Sequence, residues 1–214
     1  MDGSLISLPP SVRSLGVTCD GHHRYWVGHR QLAGVTTVLE EVGLYSNPWA
    51  RDVHRERGTA VHQITSAIDR GDWDYRQCDD ELRNYGNAYW EWKQAVGFQA
   101  LADEKIVASI SYSLAGRLDR YGYLQDGTRV IVDIKSGQPS PAAGIQTALY
   151  QFMLGETSLL ETGEEWPVDE RIILWLKPSG EYIPVVRHAA TYPTDLQVGL
   201  SAVQIYHWRK DNLK

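Results

Sequence analysis

The segment 115–150 constrains the fold of this chain more than any other. It reads AGRLDRYGYLQDGTRVIVDIKSG and, after a short loop, GIQTALYQFML. Two apolar runs flank Gln125-Asp126-Gly127, which has hairpin turn chemistry, so the runs predict paired antiparallel strands. Asp119 stands at the end of the first run, and Asp133 and Lys135 close the second, two apart. Strand side chains alternate, so Asp133 and Lys135 share a face while Ile134 turns to the core. Asp119 and Asp133 can then meet across the pair. Two carboxylates beside an ammonium can hold a hard divalent cation next to a cationic group, which is equipment for phosphodiester hydrolysis.

Around this segment the chain reads as a mixed α/β succession. Residues 1–22 read as an irregular N-terminal arm containing Pro9-Pro10, and residues 23–214 as one domain. A short hairpin is predicted around Gly28, then helices from about 36, over 59–69 and over 79–96. Strands are predicted at 105–111, 113–123 and 128–134, a helix at 142–154, strands at 171–176 and 182–187, and a helix at 194–209. Helices, a strand cluster, a helix and two further strands predict an α/β sandwich.

These residues also carry a resemblance. GRLD, then DIK with Asp133 fourteen residues beyond Asp119, then Q-x-x-x-Y at Gln146 and Tyr150, resembles the PD-(D/E)xK nuclease superfamily, and within it the RecB-like, phage-exonuclease branch. RGTAVH at 57–62 resembles the helix that supplies a metal-binding histidine there. Glu104 resembles the acidic residue preceding the G-x-x-D strand, and LAGVTTVLEEVG at 32–43 a lead-in common among phage members. The resemblance implies a restriction-endonuclease-like core, a mixed central sheet flanked by helices. It implies metal ligation by His62, Glu104, Asp119, Asp133 and the Ile134 carbonyl, with two Mg²⁺ or Mn²⁺ ions. Lys135, Asp119, Asp133, Gln146 and Tyr150 would form the catalytic set. The implied activity is a DNA exonuclease of phage recombination, replication or DNA processing, acting on linear ends in the (host) cytoplasm with an annealing or replication partner protein. An endonuclease or junction resolvase on the same fold, or a non-catalytic DNA-binding descendant, are the alternatives.

Each assignment competes with a plainer one. Asp119 could pair with Arg117 or Arg120, Lys135 could merely bridge to Asp133, and His62 could be a core histidine beside Val61, Ile64 and Ile68. Gln146 and Tyr150 share a helix face at i, i+4. Arg57 could contact phosphate, or be held by Asp52 and Glu56. Trp26, Tyr45 and Trp49, in expected loops, are candidates for stacking on bases.

Composition narrows the classes further. Two cysteines rule out a disulfide framework and a four-cysteine iron–sulfur cluster. Cys19, His22, His23 and His29 lack the paired spacing of a structural zinc site. No apolar run approaches 18 residues, so no spanning helix is expected, and the first residues lack the pattern of an export signal. A net charge of −6 argues against a nucleic-acid partner at first sight. Residues 69–81 and 161–170 hold eleven of the 27 acids, and the remainder carries 19 bases to 16 acids. The balance permits DNA without arguing for it.

Overall fold

The hairpin around Gly127 forms, and the rest of the sheet is arranged about it. The computed structural model describes residues 16–20, 24–45, 52–138 and 140–213. Leu124 N–H donates to the Thr128 carbonyl, Asp126 Oδ1 accepts from Thr128 N–H, and Gly127 has φ 86°, a conformation that favours glycine. The turn joins β5 (Leu114–Tyr123) to β6 (Arg129–Lys135). On the other side of β5 lies β4 (Gln99–Ser109), antiparallel. β6 pairs in parallel with β7 (Glu170–Leu176), which pairs antiparallel with β8 (Tyr182–His188). A small meander of β1 (Val17–Cys19), β2 (Tyr25–Val27) and β3 (Arg30–Gly34) joins the sheet through β3, parallel to the start of β5. The result is an eight-stranded mixed sheet.

Helices cover both faces. α1 (Val35–Glu41), α4 (Ala142–Thr162) and α5 (Tyr192–Asn212) pack together on one side, where Leu118, Tyr121 and Ile131 meet Leu149, Tyr150, Met153 and Val203. α2 (Asp52–Arg70) and α3 (Asp80–Val96) cover the other, where Val130, Val132 and Ile134 meet Val61, Ile68, Tyr85 and Tyr89. The alternation of β6 between the two cores is what its sequence requires of a central strand buried on both faces. α3 starts where Asp79 accepts from Leu82 N–H and stops where Gly97 turns left-handed, φ 60°. The fold is the expected α/β, restriction-endonuclease-like arrangement.

Several boundaries differ from expectation. Val17–Cys19, read as part of an irregular arm, is a strand. β4 begins at Gln99, six residues early, and takes a bulge between Ala100 and Ala102. α2 runs through Gly58 rather than starting after it, and α4 continues past Leu154 through Gly155 to Thr162. Gly155 does not end the helix; a Cβ there would lie 2.9 Å from Oε1 of the exposed Glu165 side chain, which is free to give way.

One feature of the sheet positions everything that follows. Along the same edge of β5, Leu114 and Ala115 pair with β3, and residues 120–123 pair with β6. Residues 116–119 lie between the two ladders, where the sheet opens into a fork.

Candidate active site

Asp119 sits at the crotch of that fork. Past the last ladder pair, Arg120 with Val132, the strands part, and the Asp119 carboxylate takes over as acceptor: Ile134 N–H donates to its Oδ2 at 2.7 Å. The register carries one row across three strands. Flanking pairs put Glu104 of β4 opposite Asp119, and Asp133 of β6 opposite Asp119 on its other side. Three carboxylates thus stand in line across the sheet.

β4 and β5 both break their alternation at this row. Leu118 and Tyr121 belong to the core under α4, yet Asp119 and Arg120 between them both contact α2, through His62 and Asp69. On β4, Ala102 packs in the α4 core and Lys105 pairs with Glu161 of α4, whereas Asp103 and Glu104 contact Ser66 and His62 of α2. Glu104 has φ 48°, a left-handed conformation uncommon for a side chain branched at no special position and costly enough to need support from its surroundings. Two successive residues on each strand are turned toward α2.

His62, on α2, completes the group. Its Nδ1 lies 3.1 Å from Glu104 Oε1 and 3.7 Å from Asp119 Oδ1, and one donor atom from each of the three lies within 4.8 Å of the others. Burial works against the imidazolium, but Asp119 and Glu104 outweigh it and hold the pKa of His62 above its ordinary value. Burial raises the Glu104 pKa, while His62, Arg117 and Arg120 bring it below the usual carboxylate range. Arg117 reaches Glu104 at 2.9 Å. Neither arginine takes the Asp119 carboxylate, the plainer assignment for that residue.

The α4 side of the fork holds the second half. Lys135 Nζ donates to Asp133 Oδ1 at 2.9 Å and to Gln146 Oε1 at 3.3 Å, and Gln146 Nε2 donates to the Tyr150 hydroxyl at 3.0 Å. Thr36 of α1 lies near the same hydroxyl and favours its ionised form. Asp133, expected in an open cleft, is 1% exposed. Its Oδ2 is 2.9 Å from the ammonium but outside hydrogen-bonding geometry, and no other described donor reaches it. Burial pushes the Asp133 carboxyl up to about 6 against the pull of Lys135, with Asp119 adding to the rise. Burial also opposes the charge on Lys135, but Asp133 and Asp119 keep its pKa above the ordinary value. Ile134 packs in the α2–α3 core, as read.

A family model of the PD-(D/E)XK nuclease superfamily matches residues 71–203, more than half of the chain. The chain belongs to that superfamily. The matched stretch contains Glu104, Asp119, Asp133, Lys135, Gln146 and Tyr150, and His62 lies outside it. Members of this nuclease superfamily use divalent metal ions, and the grouping of His62, Glu104 and Asp119 is of the right chemistry for one. Among solved structures, a candidate exonuclease from Eubacterium rectale is 13% identical with a TM-score of 0.42, over 81% of this chain and 71% of its own. An alkaline exonuclease from Laribacter hongkongensis is 12% identical with a TM-score of 0.32, over 85% and 93%. The same enzyme in complex with dAMP is 11% identical with a TM-score of 0.35, over 84% and 92%. No curated protein matches.

The remaining sequence candidates fall at different distances from this nuclease-family site. Arg57 is beside it, Nη2 donating to the Ser136 carbonyl at 3.4 Å. Its acidic neighbour is Glu81 of α3, at 3.6 Å. Tyr45 follows α1 and bears electrostatically on Lys135. Trp26 is half-buried on β2 rather than in a loop, and no described contact links it to the fork. Trp49 lies outside the described residues, as do His22 and His23. Thr36 and Arg120 belong to the site's surroundings and escaped the sequence reading.

Proposed function

We propose that this chain is a metal-dependent deoxyribonuclease that hydrolyses phosphodiester bonds inward from the ends of linear DNA. The observation that carries the reading is the convergence of His62, Glu104 and Asp119 on one side of the fork with Asp133, Lys135 and Gln146 on the other. The donor set fits Mg²⁺ or Mn²⁺: carboxylate oxygens suit both, and an imidazole favours Mn²⁺. The buried Oδ2 of Asp133, lacking a hydrogen bond, fits the same need.

In this reading Asp119, Glu104 and His62 would hold one cation, and Asp133 with the Ile134 carbonyl would contribute to a second. The ions supply Lewis-acid charge and lower the pKa of bound water. Lys135, fixed by Asp133 and Gln146, orients the attacking water and offsets negative charge that builds on the phosphate oxygens. Tyr150 fixes Gln146. Arg57 contacts the DNA backbone, and Tyr45 stacks on a terminal base.

End dependence is the reading that asks least of the residues at hand. Locating an internal sequence needs side chains presented to base edges over roughly 1,000 Å² or more, and the sequence carries no helix-turn-helix or zinc finger to present them. Purified protein incubated with end-labelled linear DNA and covalently closed circles, with Mg²⁺, Mn²⁺ or EDTA, tests the reading. Linear DNA should shorten progressively with either metal and not in EDTA. Circles cut as fast as linear DNA would replace it with an endonuclease or resolvase. Binding without any cleavage would make the chain a DNA-binding descendant.

A further inference from the structure

Arg120 is 0% exposed, and burying a guanidinium costs several kcal/mol unless its donors are matched. They are matched by three separate elements. Nε donates to Asp69 Oδ2 at 2.6 Å, and Nη2 to Thr65 Oγ1 at 2.9 Å and Ser66 Oγ at 3.0 Å, all on α2. Nη1 meets the Asp119 carbonyl of its own strand at 2.6 Å, and on β4 Asp103 Oδ1 at 2.7 Å and Glu104 Oε1 at 3.4 Å. Burial alone would lower its pKa, and the surrounding acids more than reverse that.

These contacts fall where both strands lose their alternation. An extended β4 would send Asp103 and Glu104 to opposite faces, but both carboxylates come within 3.4 Å of one nitrogen of Arg120. The left-handed backbone of Glu104 needs an outside force to hold it. Arg120 grips the residues on either side of the distortion: Asp103 before it, the Asp119 backbone across from it, and the helix that carries His62.

We infer that Arg120 is a positioning residue for the cation site, holding the paired kinks of β4 and β5 against α2 so that Glu104, Asp119 and His62 converge. It touches neither metal nor substrate. The inference rests on the cation reading above, and its test separates the two.

Mn²⁺ binding is measured by calorimetry on the whole chain, without DNA, alongside the thermal midpoint. The wild type should bind Mn²⁺, and Glu104→Gln should weaken that binding by about tenfold or more. If the wild type does not bind, or Glu104→Gln leaves binding unchanged, the cation reading fails first. Arg120→Lys keeps the charge but cannot span three elements from one planar fork. It should weaken Mn²⁺ binding by about tenfold or more. Val203→Ala removes core packing on α5, which gives no side chain to the cluster. It should lower the thermal midpoint and leave Mn²⁺ binding within about twofold. Ser66→Ala, which removes a hydroxyl shared by Arg120 and Asp103 and changes no charge, gives the answer should the lysine variant not fold. A weakening of about threefold or more supports the role of Arg120. Mn²⁺ affinity within twofold of wild type, in Ser66→Ala or in a folded Arg120→Lys, overturns it.

Discussion

Lys135 shows how closely stability and chemistry are joined in this site. Its ammonium is the hydrogen-bonding partner of a carboxylate that is 1% exposed, and burial already pushes that carboxyl up to about 6. Lys135→Ala should therefore do two things. Cleavage should fall by at least about 10²-fold, the scale of losing one acid–base or electrostatic contribution. Asp133 should also lose its main reason to be ionised, so its carboxyl should titrate higher still, because an isolated buried charge is strongly disfavoured. Single-turnover rates at saturating Mg²⁺ read the first effect, and carboxyl-directed NMR titration reads the second. A folded variant with near-normal, EDTA-sensitive cleavage would remove Lys135 from the catalytic set.

Between the elements, glycine and arginine do the fitting. Gly116 lies where β5 faces α4, and a Cβ there would stand 2.5 Å from Tyr150 Cε1 and 3.3 Å from Val35 Cγ2. Gly116→Ala must move a buried ring, an overpacking cost of about 1–3 kcal/mol. The Tyr150 hydroxyl would move with it and release Gln146, so cleavage should fall along with the denaturant midpoint. On the same face, Asp195 of α5 accepts from Arg171 at 2.9 Å and from Arg187 at 2.6 Å, and so ties α5 to β7 and β8. Burial would raise its pKa, but the two arginines lower it overall. A depressed folded-state pKa means stability that is present above the unfolded carboxylate value of about 3.9 and is lost as pH falls through the folded value. Asp195→Asn should cost about 3 kcal/mol in urea unfolding at pH 7, since it leaves Arg171 buried without its counter-charge. The gap between variant and wild type should narrow as pH falls below about 3.9 toward the lowered folded value. The hairpin of β5 and β6, the face pairing Gln146 with Tyr150, and the helix over 79–96 were legible because each rests on turn chemistry or short-range periodicity. The kink at Glu104 was not, since β4 was expected to begin at 105 and nothing local marks a left-handed glutamate. Arg120 was equally hidden: beside Asp119 it reads as a surface partner, and only the acceptors from α2 and β4 make it a buried hub. Gly58 and Gly155 misled as helix boundaries because glycine lowers helix propensity without forbidding a helix that the packing of its other residues supports.

Taken whole, the molecule meets a polyanion with a net charge of −6. Much of the acidic stretch 161–170 is already engaged, with Glu161 on Lys105, Asp169 on Arg129 and Glu170 on His188. Those pairs leave the net charge as it is, so local cations at the cleft such as Arg57 must supply the attraction to phosphate. Among the described residues Arg57 is held by contacts of 3.4 and 3.6 Å, loose enough to turn toward a phosphate. Arg57→Ala should weaken DNA binding uniformly across sequences and reduce the slope of log K against log salt by about 1. Fluorescence anisotropy with Ca²⁺ in place of Mg²⁺, over a salt series, measures it. An unchanged slope would return Arg57 to a structural role.

The strand that carries Asp133 and Lys135 has a neighbour on each side, and the two arrive at different times. β5 precedes it at once through the tight turn, but β7 lies beyond the whole of α4 and ends at Leu176. During synthesis, at roughly 5–20 residues per second, β6 waits for seconds as an unprotected sheet edge. Gln146, which steadies the lysine, cannot dock until α4 has folded back over a sheet that still lacks that neighbour. The fork is therefore assembled from contacts far apart in the chain, and its cutting capacity matures only after β7 has left the ribosome. A nascent chain stalled before β7 would carry every residue of the His62–Glu104–Asp119 group and still be a blunt tool, a built-in delay between making a nuclease and arming it.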